Sequence, residues 1–216
     1  MMFRKFSLIS YPSKLILVTI AFLTLNLGFS VVLIGQNTII EPMIFHGYDI
    51  SLTKITDPKR TSQQVASYML ELVNNVSVEV TSKQLSKWLG VKSVIIEGNT
   101  TFEKNRKVKN EDILYPNYVV QDIINSDSLQ KIINKLDIQE KRGTGVIVFF
   151  ECLSKERKSV SGYVCFFNHY TGKIITVVEK EFKDNNGYGS FRDYWVPAIG
   201  LVRFGCEKFR SEYNPK

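Results

Sequence analysis

Three successive runs in the C-terminal half constrain the fold of this chain most tightly: residues 143–153 (GTGVIVFFECL), 162–170 (GYVCFFNHY) and 172–182 (GKIITVVEKEF). Each is rich in β-branched and aromatic residues. The polar connections between them, 154–158 and Tyr170-Thr171-Gly172, are short enough for hairpins, so the runs read as a three-strand antiparallel meander. In the first run Val146, Val148 and Phe150 fall on one side and Ile147 and Phe149 on the other, so neither face of that strand can lie against water. Helices must therefore cover both faces of the sheet centre, and Val148, Phe149 and Phe166 are expected to be buried within the monomer. The expected fold class is α+β: an antiparallel β-meander of about 4–5 strands with helices packed on it and a C-terminal helix.

Periodicity supplies the helices. Thr61 or Ser62 can cap a helix over 61–74, in which Val65, Tyr68, Met69 and Leu72 recur at i, i+3, i+4 and i+7. Thr81, with Leu85, Trp88 and Leu89 behind it and Gly90 at the end, predicts a second, shorter helix, followed by a strand over 91–97. Ser126-Asp-Ser128 opens a helix over 126–136 that presents Leu129, Ile132, Ile133 and Leu136. Residues 99–112 (NTTFEKNRKVKNED) are polar and densely charged, which predicts a solvated loop. Before all of these, the alternation in residues 46–55 reads as a strand with Tyr48, Ile50 and Leu52 on one side, expected at a sheet edge. At the C-terminal end Phe191, Tyr194, Trp195, Ala198, Leu201 and Val202 stand at helical spacing. Pro197 suits a first turn rather than a helix interior, so the last helix should begin at about Trp195. The expected organisation is an N-terminal strand and linker over 36–60 and a single α+β domain over 61–216.

The N-terminus carries a different kind of signal. Residues 1–14 hold Arg4, Lys5 and Lys14 and no acidic residue, and residues 15–35 contain no charge in 21 positions. A bilayer core of about 30 Å needs roughly 20 apolar residues in a helix, so the run is long enough to span, although Thr19, Thr24, Asn26, Gly28 and Ser30 dilute it. Cleavage near Gly35 or Ser30 would make it a signal peptide; retention would make it an anchor with the N-terminus in the cytoplasm. Both outcomes export the bulk of the chain, to the periplasm or the medium, or to the outer side of the inner membrane as a single-pass protein. The cleaved signal peptide is the favoured expectation. Membrane contact is expected only through residues 15–35, and only if they are retained.

The charge balance excludes one class of partner. Arg4, Lys5 and Lys14 account for three of the net +7, and the remaining +4 is too slight and too dispersed for a nucleic-acid footprint. No catalytic set, cofactor motif or metal motif is legible. Gly143-Thr-Gly145 opens a strand rather than a helix, so it cannot aim a helix N-terminus at a phosphate. His46 and His169, the two histidines of the chain, stand in no metal-ligand spacing and read as structural. Cys152, Cys165 and Cys206 are an odd set with no C-x-x-C among them. They read as small buried hydrophobes, with a disulfide (Cys152 and Cys165 lie near one hairpin) or a catalytic thiol beside His169 as alternatives. The aromatic stretch containing Phe191, Arg192, Tyr194 and Trp195 has the composition of a protein interface, and also that of an anchor holding the last helix to the sheet.

Residues 143–150 (GTGVIVFF), 162–168 (GYVCFFN), 172–175 (GKII) and 187–195 (GYGSFRDYW) resemble a group of small exported proteins of unknown function of the Bacteroidetes type. The likeness covers roughly residues 80–210. Asn168 and Asp193 depart from that group's pattern, and it implies no catalytic residues. The first third, with its apolar helix followed by Thr38-Ile-Ile-Glu-Pro42, is similar to the bitopic inner-membrane assembly component of conjugative type IV secretion systems. The expected function is accordingly an exported, non-catalytic binding or structural module of the cell envelope with an envelope or secreted protein as partner. A membrane-anchored subunit of a secretion or envelope machine is the alternative, and a thiol-dependent enzyme a more remote one.

Overall fold

The computed structural model describes residues 40–56, 62–114, 124–136, 142–154, 157–183 and 194–213. The apolar N-terminal segment lies outside these. Residues 39–216 form one compact unit, and its element order is β1 (Met43–Asp49), β2 (Lys54–Ile55), α1 (Ser62–Glu79), α2 (Ser82–Leu89), β3 (Val94–Ile96), α3 (Asn99–Asn105), α4 (Asn110–Ile113), α5 (Ser126–Ile133), β4 (Thr144–Ser154), β5 (Ser159–Asn168), β6 (Ile174–Lys183) and α6 (Trp195–Tyr213). The fold is mixed α+β around a six-stranded sheet of order β3-β1-β4-β5-β6, with β2 also paired to β4. No helix among the described residues is long and apolar enough to cross a membrane.

The meander is as expected: β4 pairs antiparallel with β5, and β5 with β6. The N-terminal half of the sheet differs. β1 is not an edge strand but runs between β3 and β4, parallel to both. Parallel neighbours need long crossovers, and here the chain between β1 and β3 supplies α1 and α2 as the covering layer. The alternation over 46–55 is also broken, because Gly47 takes a φ of 88° where the β1–β4 register shifts, and the strand ends at Asp49. Residues 99–112 are likewise not a loop; they form α3 and α4.

Both faces of the sheet are covered. Phe45, Tyr48, Val146, Val148, Phe150, Val164 and Phe166 join side chains of α1, α2 and α6 in the larger core. On the other face Ile147, Phe149, Tyr163, Cys165 and Phe167 pack with Leu129 and Ile133 of α5. Val148, Phe149 and Phe166 have no exposed surface. Local chemistry sets the helix ends. Thr81 and Gln84 make a reciprocal capping box on α2, which Gly90 closes in the left-handed conformation. The α5 cap is Asn125, one residue earlier than the sequence suggests. α6 starts at Trp195 with Pro197 in its first turn, where no helical N–H is missed.

Candidate functional site

Where β1 passes its bulge, pairing with β3 stops. The last contact of that ladder is the Glu97 N–H donating to the Phe45 carbonyl at 2.8 Å. From there α3 takes over the strand's backbone with side chains. The Thr101 hydroxyl donates to the His46 carbonyl at 2.7 Å, the Asn105 amide donates to the Tyr48 carbonyl at 2.6 Å, and its oxygen accepts the Ile50 N–H at 3.0 Å. Lys104 meets the fully buried Asp49 carboxylate at 2.5 Å, whose other oxygen accepts from the Ser51 N–H and hydroxyl. These bonds fix the position of His46 along the strand.

His46 projects from the same face of the sheet as Ile147 and Phe167, and Glu97 lies beside it at the continuation of the β1–β3 register. His169, just past the end of β5, is held by its N–H donating to the Gly143 carbonyl at 3.0 Å. Its ring reaches over β4 to stack on His46, with centroids 5.1 Å apart and planes at 18°. Phe167 stacks on both imidazoles, 5.6 Å from His46 and 6.2 Å from His169. The arrangement is made feasible by Gly145: a Cβ there would sit 2.2 Å from the Phe167 ring. Both histidines are buried and Glu97 is half-buried. One ligating atom from each of His46, Glu97 and His169 lies within 4.8 Å of the other two. Two other acids are buried in the sheet, Asp49 and Glu151, and each is engaged elsewhere, Glu151 by the Ser161 hydroxyl at 2.9 Å and the Tyr163 hydroxyl at 3.0 Å.

The three cysteines do not meet in a disulfide. The register places Ser161 opposite Cys152 and Ile147 opposite Cys165, Cys206 lies on α6, and all three thiols are free and buried. Burial pushes the Cys152 thiol up to about 11, helped by the Glu151 carboxylate, and Cys165 up to about 12. Cys206 is raised well above the ordinary thiol range by the same cause. Since the thiolate is the nucleophile, burial disfavours the reactive form of all three. Of the aromatic stretch, Tyr194 is buried and Trp195 packs half-buried against the larger core at the start of α6; Phe191 and Arg192 lie outside the described residues.

A cleft of about 270 Å³ opens between β1, α1 and α3, lined among others by Phe45, Val73, Ile96 and Phe102. Ile96 and Phe102 are close to half exposed on its rim, and among the described residues β3 is the last strand of the sheet on that side. The sequence reading missed both this cleft and the histidine–glutamate cluster. The one available signal for the cluster was that both histidines flank or enter strands expected to share a sheet.

No family model and no curated protein matches the chain. Among solved structures, it is similar to the lipoprotein GNA1162 from Neisseria meningitidis, with 12% identity over 73% of this chain and 92% of that one and a TM-score of 0.26. A superposition that loose supports no shared role.

Proposed function

We propose that this chain is exported and acts in the cell envelope as a non-catalytic module that binds a protein partner. The observation that carries the export reading is the N-terminal order of charges: three cations, then 21 positions without charge, ahead of a unit that begins at residue 39 and holds its own core. Binding rather than catalysis is supported by the burial of all three thiols and by the apolar cleft rimmed by Ile96 and Phe102 at the end of the sheet, where an extended partner segment can lie against β3. Export by a retained anchor is the second reading, favoured by the length of the uncharged run. The protein would then be a bitopic subunit of a secretion or envelope machine.

N-terminal sequencing and intact mass of the protein from the soluble and membrane fractions of its native host test this. A soluble chain starting at or near Gln36 is expected. An intact chain in the membrane pellet replaces the free module with the anchored subunit, and an intact chain in the cytosol overturns both. Thiol-exchange turnover abolished by Cys152→Ser or Cys165→Ser would overturn the non-catalytic part.

A further inference from the structure

We infer that His46, Glu97 and His169 bind one divalent first-row transition-metal ion, with Zn²⁺ as the reference ion. The inference does not depend on where the protein resides. Two imidazoles and one carboxylate are a borderline nitrogen and oxygen donor set, suited to Zn²⁺, Fe²⁺, Ni²⁺ or Cu²⁺ and poorly suited to Ca²⁺ or Mg²⁺. Metal–ligand bonds of about 2.0–2.2 Å place the donor atoms of one site roughly 3–4 Å apart. The three donor atoms here lie within 4.8 Å of one another, so small side-chain rotations close the site.

The donors come from three parts of the chain, 51 and 72 residues apart in sequence, and each is held by its backbone. Thr101 bonds the His46 carbonyl, the Glu97 N–H bonds Phe45, and the His169 N–H bonds Gly143. Phe167 closes one side of the imidazole pair. His169 itself is buried, its chain neighbours Asn168 and Tyr170 line a cleft of about 370 Å³ with Arg142 and Gly143, and solvent reaches the cluster at Glu97, whose side chain is half-buried. Three protein ligands leave at least one coordination position for water or an exogenous ligand, the arrangement of an open rather than a closed structural site. The competing account is that the rings are a packing column with a carboxylate beside it. That account predicts indifference to metal.

The full chain, purified in detergent without a tag and stripped with EDTA, is titrated with ZnCl₂ by calorimetry and with CoCl₂ by visible absorption. One equivalent of Zn²⁺ per chain, a raised melting temperature and a Co²⁺ ligand-field spectrum are expected. Glu97→Gln and His169→Gln should each weaken Zn²⁺ binding by at least about tenfold, the loss typical of even a second-shell change. Near-UV circular dichroism of the half-buried Glu97→Gln variant separates a lost ligand from a lost fold. The absence of saturable Zn²⁺ binding, or binding of unchanged affinity in both variants, would overturn the site.

Discussion

At the scale of one residue, the absence of a side chain at position 145 decides how the second face of the sheet is packed. A methyl there would lie 2.2 to 2.7 Å from three atoms of the Phe167 ring, in a region where Phe167 has no exposed surface to retreat to. Overpacking of this kind costs about 1–3 kcal/mol, and the displaced ring is the one stacked on His46. Gly145→Ala is therefore expected to lower the unfolding free energy by that amount, read as a lower urea midpoint at unchanged m-value. Gly98 makes the comparison sharp: it has right-handed helical φ and ψ, and a Cβ there meets nothing within 4 Å. Gly98→Ala should leave stability within about 0.5 kcal/mol. Equal losses in the two variants would show that steric fit at Phe167 is not what the glycine provides.

At the scale of elements, the informative one is α3, because it does the work of a strand. Its Asn105 side chain occupies both the donor and the acceptor role that a neighbouring strand would play toward Tyr48 and Ile50. Asn105→Leu keeps the approximate volume and strands a buried carbonyl and a buried N–H, which should cost about 2–4 kcal/mol. Native-state hydrogen exchange localises the effect: the Ile50 amide should exchange faster by more than the Val148 amide, and equal acceleration would point to global destabilisation only. The same chemistry explains why the sequence reads wrongly here. Hydrophobic periodicity detects helices that bury apolar stripes, whereas α3 buries Thr101 and Asn105 against a backbone, so its polar composition looked like a loop. The elements that bury apolar stripes or carry complete caps, namely the β4–β5–β6 meander, α2 and α6, are legible in the sequence to within about three residues at their ends. The position of β1 was not, since nothing local to residues 43–49 encodes parallel partners that lie 51 and 101 positions further along the chain. The histidine–glutamate cluster follows β1 into that blind spot. Its three members come together only once β1 lies between β3 and β4.

At the scale of the whole molecule, that central position makes the N-terminal strand a part of the core rather than an appendage to it. Met43, Ile44, Phe45 and Tyr48 are each at most 3% exposed. Burying each such side chain contributes about 1.5–3 kcal/mol. Losing four of them removes an amount comparable to the entire stability of a typical domain, about 5–15 kcal/mol. It would also leave β3 and β4 with facing edges and no strand between them. Two truncations separate these cases. A chain of residues 36–216 keeps the whole compact unit and is expected to unfold in one cooperative transition, with far-UV and near-UV circular dichroism coincident. A chain of residues 51–216 keeps the helices and the meander but loses β1, and its near-UV signal and cooperative transition should both be absent while helical far-UV signal persists. Cooperative unfolding of the shorter chain would mean that β4, β5 and β6 with α6 hold the fold without their parallel partner. The His46–Glu97–His169 cluster would then be an addition at the sheet's margin instead of a feature of its centre.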